Sequence, residues 1–160
     1  TTAFHYCGPA AVRYPRGGGI NSKIDPKLNT VDIGKGRVID TNDSDFLVLN
    51  FGTLIATSKE VAKELNATLL DMRFVKPLDK ELINEYSKTK KTIITIEDGA
   101  ITGGAGSAVS EWAQENKINA QIIICGIPDE FVDHSSREEM IEAVGLDKKG
   151  ILAKVKDYLS

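Results

Sequence analysis

The sequence predicts an α/β domain over residues 34–160, with a mostly parallel five-stranded sheet and helices on both of its faces. Two observations carry this prediction. Short apolar runs alternate with amphipathic segments of about ten residues, which is the order of strands and crossover helices in parallel sheets. The segment DFLVLNFG at residues 45–52 is a continuous apolar run, which is typical of a strand covered on both faces.

Five segments carry the strand pattern. We expect the first of them at an edge of the sheet, where either strand direction is open, and the other four to be parallel. In chain order the segments are GRVID (36–40), DFLVLNFG (45–52), ATLLDM (67–72), KTIITIED (91–98) and AQIIICG (120–126).

Five helices are predicted after or between these strands, and several of their ends carry capping residues. The segments following Gly52, Val75 and Ala105 each show an apolar stripe at helical spacing, and two further helices close the chain. The expected starting caps are Thr57 with Glu60, Asp79, and Ser135 or Ser136, and the expected ends are Asn66 and Gly145.

The first 33 residues differ in composition from the rest. GPAAVRYP at residues 8–15 predicts a strand that ends at Pro15 and the glycines behind it, so residues 1–17 are interpreted as the end of another domain. Residues 18–33 have the scattered polar composition of a linker. We therefore expect a domain boundary near residue 33 and a chain that is part of a longer protein.

Composition restricts the class of protein. A formal net charge of −3 without a basic block argues against general binding to nucleic acid or membrane surfaces. No apolar run approaches the roughly 18 residues of a membrane span. Cys7 and Cys125 lie far apart, and Cys125 is interpreted as a small apolar residue of a buried strand. We expect a reducing compartment and a cytoplasmic location.

The turn Gly103–Gly106 follows a predicted strand and precedes a helix, as half of a dinucleotide-binding glycine motif does. Val109 stands at the third glycine position, and Glu97 and Asp98 bring negative charge to the proposed pyrophosphate. The favoured interpretation is that the small residues let the helix pack closely against the sheet or a partner subunit.

Other candidate residues are interpreted more simply. His5 and His134 lack metal-ligand spacing, so His134, beside Asp133, is expected at the surface or an interface. Arg73 and Lys76 follow a strand where open α/β sheets bind ligands. The favoured alternative is that these two cations pair with Asp71 or Asp79, or meet a neighbouring subunit.

Two arginines stand in the first segment. Residues i and i+3 of a strand face opposite sides, so Arg13 and Arg16 do not form a matched clamp. Arg13 is mid-strand and is interpreted as structural. Arg16 ends the strand before three glycines, where a guanidinium suits a phosphate or a carboxylate, although a ligand contact and a structural role both stay open there.

Seven motifs extend this interpretation. They occur in the same order in the 1-deoxy-D-xylulose-5-phosphate synthase family, whose C-terminal end the whole chain resembles. The motifs are AVRYPRG (11–17), GKGRVI (34–39), LNFGT (49–53), ELNAT (64–68), DMRFVKPLD (71–79), GGAGSAV (103–109) and IPDEFV (127–132).

The resemblance implies a homodimeric, three-domain, thiamine-diphosphate and Mg²⁺ enzyme of the transketolase type. Such an enzyme joins pyruvate to glyceraldehyde 3-phosphate with loss of carbon dioxide, for isoprenoid and thiamine biosynthesis. Residues 1–17 would then end the pyrimidine-binding domain, and residues 34–160 would form the transketolase-type C-terminal domain. Arg16 would contact the substrate phosphate.

The resemblance also implies that the cofactor-binding and catalytic motifs of the family belong to other domains. The family's G-D-G and asparagine motif, its activating glutamate and its active-site histidines do not occur in the 160 residues. We therefore expect no cofactor on this chain and no activity from it alone. EDG at residues 97–99 replaces the EEN or EEH of relatives. The alternatives are a free-standing module that binds a small anion near Gly103–Gly106, and a dehydrogenase-type thiamine enzyme with another acceptor.

Overall fold

The computed structural model describes residues 1–14 and 26–160, which form two compact units, Thr1–Ile33 and Gly34–Ser160. The division coincides with the composition change near residue 33. Arg16 and the first half of the predicted linker, residues 18–25, lie outside the described residues.

The first unit holds a single turn of helix, α1 (Thr2–His5), in its described part. The hydroxyl of Thr2 accepts a hydrogen bond of 2.8 Å from the Val31 amide. The strand predicted over residues 8–15 is not formed in its described portion, residues 8–14. A strand needs a neighbour to complete its backbone hydrogen bonds, and the described residues of this unit provide none.

The second unit contains the predicted five-stranded sheet, in the order β1-β3-β2-β4-β5. β2, β3, β4 and β5 are parallel, and β1 pairs antiparallel with β3 at one edge. Both expectations are therefore confirmed. The strands are β1 (Arg37–Asp40), β2 (Phe46–Phe51), β3 (Thr68–Asp71), β4 (Thr92–Ala100) and β5 (Gln121–Ile127).

Helices cover both faces of this sheet because side chains along each strand alternate between two apolar clusters. In β2, Val48 belongs to one cluster, whereas Leu47 and Leu49 belong to the other. The first cluster takes side chains from α2 and α6, and the second takes them from α3 and α4. The helices are α2 (Ile55–Glu64), α3 (Lys80–Ser87), α4 (Ala105–Glu115), α5 (Arg137–Ala143) and α6 (Lys148–Leu159).

Side-chain caps explain where α3 and α5 begin. Asp79 caps α3 as predicted, by accepting from the Leu82 amide at 3.1 Å. Ser136 caps α5 in a full capping box with Glu139, and hydrogen bonds from Ser135 and Ser136 lower the pKa of that carboxyl to about 2. Helix α5 is followed by Gly145 at a φ of 67°.

The predicted start of α2 at Thr57 is wrong. The helix begins at Ile55, with Leu54 as its N-cap, so Thr57 and Glu60 lie inside it. Leu54 is buried in the core and accepts the Ser58 amide through its carbonyl, which starts the helix without a side-chain cap. Asn66, the predicted end, follows the C-cap Leu65 and has a left-handed conformation.

The beginning of the second unit is attached to the first turn of α3. Besides capping α3, the Asp79 carboxylate accepts the Gly36 amide at 3.0 Å, and Lys35 lies 3.7 Å from it. Lys35 also contacts Glu81 at 2.8 Å, which raises the pKa of the lysine. Asp79 therefore joins the segment before β1 to a helix on one face of the sheet.

No helix in residues 1–14 or 26–160 is both long and apolar enough to cross a membrane.

The close approach of α4 to the sheet gives a direct test of the packing. A Cβ at Gly106 would lie 2.5 Å from Ile124 Cγ2 and 2.6 Å from Thr95 Oγ1. We expect Gly106→Ala to lower the free energy of unfolding by about 1–3 kcal/mol, because the overpacking outweighs the gain in helix propensity. Urea unfolding measures the change, with Gln114→Ala on the exposed side of α4 as the control. Equal stability of the two variants would contradict the packing.

Candidate functional site

The carboxyl ends of the four parallel strands meet at one edge of the sheet, which is where open α/β sheets bind ligands. Four turns leave this edge, after β2, β3, β4 and β5. Polar or charged side chains that follow or end these strands include Thr53, Arg73, Glu97 and Asp98.

Glu97 is a buried carboxylate at this edge, with 5% of its surface exposed. Its two oxygens accept the backbone N–H groups of Ala105 and Gly106, each at 2.8 Å. These amides belong to the first turn of α4, where the helix dipole favours a negative charge. The carboxylate therefore sits where a bound anion would otherwise sit.

Glycines make room for this carboxylate. A Cβ built at Gly99, Gly104 or Gly126 would come within 3.1, 2.5 and 3.2 Å, respectively, of a Glu97 side-chain atom. The Gly103–Gly106 turn is thus shaped around an internal glutamate, and close helix–sheet packing, the favoured interpretation, is confirmed. The alternative of a small anion held at this turn is wrong, because Glu97 already uses the amides that would hold it.

Asp98 turns to the other side of β4 and joins a polar cluster at the surface. The Thr53 hydroxyl donates to Asp98 Oδ2 at 2.5 Å and accepts from the Arg137 guanidinium at 2.6 Å. A Cβ at Gly52 would lie 2.6 Å from Asp98 Oδ1, so only glycine fits beside this carboxylate. The cluster connects the ends of β2 and β4 to α5.

A cavity of about 190 Å³ opens beside this cluster. Asp98 and Arg137 are its charged lining residues, and the rest of the lining is apolar. The apolar residues are Ile127, Val132, Met140, Ile141, Val144 and Leu146.

Arg73 and Lys76 lie exposed in the turn after β3, with Arg73 at a φ of 57°. The predicted pairing with Asp71 or Asp79 is wrong. Asp71 instead pairs with Arg37 on the adjacent strand at 2.9 Å, and Asp79 is used at the start of α3. A role for the two cations at a neighbouring subunit stays a prediction.

The remaining candidates do not assemble a catalytic centre in the described part of the chain. His134 is exposed in the turn before α5, and no group of three or more metal-ligating side chains occurs among the described residues. Cys125 is buried in β5, and desolvation raises the pKa of its thiol to about 11, which suits an unreactive packing residue.

Sequence reasoning missed Thr53 and Arg137. They meet across 84 positions of the chain. Thr53 enters the sequence analysis only as part of the LNFGT motif, and Arg137 only as part of a helix. The available signal was Gly52 directly after a buried strand, since a glycine there leaves space for a side chain from the next strand.

The fold and the edge together define a C-terminal domain of the transketolase type. The family model for the transketolase C-terminal domain matches residues 34–151, and the chain belongs to this family. The match begins at the first residue of the second structural unit.

More specific relatives are 1-deoxy-D-xylulose-5-phosphate synthases. The chain is 47% identical to that of Mannheimia succiniciproducens over 154 residues, and 42% identical to that of Vibrio parahaemolyticus over 159 residues. These matches cover 96% and 99% of the chain, so the resemblance predicted from its motifs is confirmed. The chain spans about a quarter of the length of either relative.

A solved structure supports the same fold. It is described as "Split gene transketolase, inactive beta4 tetramer", and it matches with a TM-score of 0.73 at 28% identity. The match covers 81% of this chain and 43% of the other.

The internal glutamate can be tested by stability. We expect Glu97→Ala to lower the free energy of unfolding by about 3 kcal/mol, because two buried amides lose a charged acceptor. Glu97→Gln keeps one acceptor oxygen and is expected to cost about half as much. Urea unfolding measures both variants against Glu115→Ala, an exposed glutamate at the end of α4. A Glu97→Ala variant as stable as this control would contradict the assignment.

Proposed function

We propose that this chain is the C-terminal part of a 1-deoxy-D-xylulose-5-phosphate synthase, a thiamine-diphosphate-dependent transferase. The enzyme condenses pyruvate with glyceraldehyde 3-phosphate, with loss of carbon dioxide, for isoprenoid and thiamine biosynthesis. The observation that carries the proposal is the identity of 42–47% with synthases along nearly the whole chain. The match to the transketolase C-terminal domain supports it.

In this enzyme the chain binds the substrate phosphate and contacts the other domains and the second subunit. Arg16 contacts the phosphate of glyceraldehyde 3-phosphate, because a guanidinium offers paired N–H donors that match phosphate oxygens. Residues 34–160 contact the other domains and the second subunit of a cytoplasmic homodimer. The exposed cations Arg73 and Lys76, which form no ion pair among the described residues, suit such a contact.

Thiamine diphosphate and Mg²⁺ do not fit the described residues. The one glycine-rich turn before a helix at the sheet edge is closed by the Glu97 carboxylate, which would repel a diphosphate. No cluster of metal-ligating side chains lies in residues 1–14 or 26–160. Domains outside this chain therefore hold the cofactor and the metal in the proposed enzyme, and no chemical step is assigned to residues 34–160.

Arg16 provides the sharpest test of this role. In the full-length enzyme, we expect Arg16→Ala to raise the KM for glyceraldehyde 3-phosphate about 10- to 100-fold, because a charge-assisted pair with the phosphate is lost. The KM for pyruvate should stay within about twofold, since pyruvate carries no phosphate. Steady-state kinetics with each substrate varied in turn measures both values.

The matched control is Arg13→Ala, three residues earlier in the same motif. Its kinetics toward the aldehyde should follow the unmodified enzyme. Unchanged aldehyde kinetics in Arg16→Ala, or an equal effect of Arg13→Ala, would contradict the role of Arg16.

A second test concerns the isolated chain. We expect purified residues 1–160 to release no carbon dioxide from pyruvate in the presence of thiamine diphosphate and Mg²⁺, because the described residues form no site for either. The full-length enzyme assayed in parallel is the positive control. Turnover of pyruvate by the isolated chain would overturn the assignment of the cofactor to other domains.

A further inference from the structure

The cavity beside Asp98 and Arg137 lies at the carboxyl edge of the sheet, yet the proposed synthase reaction gives it no role. We propose that it is a binding site for an aliphatic α-amino acid. The side chain of the ligand enters the cavity, its carboxylate binds Arg137, and its ammonium group binds Asp98. The inference does not rest on the proposed function, because it is argued only from the cavity and its lining residues.

The interior of the cavity selects an apolar group. Six of its eight lining residues are aliphatic or Met, supplied by the end of β5 and the turn after it, by α5 and by the segment that follows α5. An engineered cavity of about 150 Å³ in another protein stays dry and holds benzene. A cavity of about 190 Å³ therefore has room for a branched or linear side chain of four or five atoms.

The rim of the cavity selects a zwitterion. Arg137 and Asp98 flank one hydroxyl, that of Thr53, and neither forms an ion pair within residues 1–14 or 26–160. Arg137 has five N–H donors, of which the hydroxyl uses one, and the Asp98 carboxylate keeps free lone pairs. Two opposite charges hydrogen-bonded to the same hydroxyl match the adjacent ammonium and carboxylate of an α-amino acid.

Both requirements act together. A fatty acid leaves Asp98 facing a carboxylate, an alkyl amine leaves Arg137 facing an ammonium group, and glycine leaves the cavity empty. Each loss removes a distinct part of the interaction, since charge pairing and apolar burial are separate contributions. The site therefore predicts a definite order of affinity among simple compounds.

The test uses the full 160-residue chain and ¹H–¹⁵N NMR titration. The probes are L-leucine, 4-methylpentanoate without the ammonium group, 3-methylbutylamine without the carboxylate, and glycine without the side chain. We expect L-leucine to shift amide signals around Asp98, Arg137 and Ile141. Its affinity should exceed that of each truncated compound at least about tenfold.

Two variants assign the charges. Arg137→Gln should weaken the binding of L-leucine and of 4-methylpentanoate about tenfold and leave the binding of 3-methylbutylamine unchanged. Asp98→Asn should weaken the binding of L-leucine and of 3-methylbutylamine about tenfold and leave the binding of 4-methylpentanoate unchanged. Glu138→Gln, next to Arg137 but outside the cavity lining, is the matched control. These three side chains are exposed, so we expect each variant to fold. The amide spectrum of each variant without ligand checks this.

Three outcomes would overturn the proposal. One is the absence of any shift up to about 20 mM L-leucine, far above the affinity of a specific site. Another is equal binding of L-leucine and the two singly charged compounds, which would make the cavity an unspecific apolar site. The third is a loss of L-leucine binding in Glu138→Gln as large as that in Arg137→Gln.

Discussion

The carboxylate of Glu97 lies under the first turn of α4 and accepts the amides of Ala105 and Gly106. A buried charge is tolerated only where hydrogen bonds and opposite partial charge replace water, and the start of a helix supplies both. The arrangement fixes where α4 begins and how closely it lies on β4 and β5. It also favours glycine at three surrounding positions, because a Cβ there would crowd the Glu97 side chain.

Neighbouring residues of β4 divide the edge of the sheet into two halves. Glu97 closes the half beneath α4, and Asp98, one residue later, faces the half beside α5. The alternation of side chains along a strand is the reason that consecutive acids serve opposite faces. An internal anion thus occupies one half, while a polar rim and an apolar cavity remain accessible in the other.

The sequence was sufficient for the sheet and for most helix ends. Continuous apolar runs such as that of β2 have few alternatives to a buried parallel strand, and Asp79 and Ser136 are residues that cap helices through their own side chains. Thr57 gave a wrong start for α2 because the helix begins after Leu54, which is buried in the core. Burial of Leu54 depends on tertiary packing and not on the local sequence.

The site was less predictable for a related reason. Glu97 was recognised as unfavourable for a pyrophosphate, but its hydrogen bonds depend on the path of the chain from β4 into α4. The Thr53–Arg137 contact joins residues 84 positions apart, and no local pattern specifies such a distance. The strand expected before Pro15 needed a neighbouring strand that its own composition cannot supply.

The attachment at Asp79 has a mechanical consequence. Because this carboxylate holds the Gly36 amide and also caps α3, tension transmitted along the backbone from residue 33 reaches α3 before it reaches β1. Displacement of the preceding segment must therefore break the Gly36–Asp79 hydrogen bond before it disturbs the pairing of β1 with β3. Asp79 is therefore an anchor point that separates motion of that segment from the sheet.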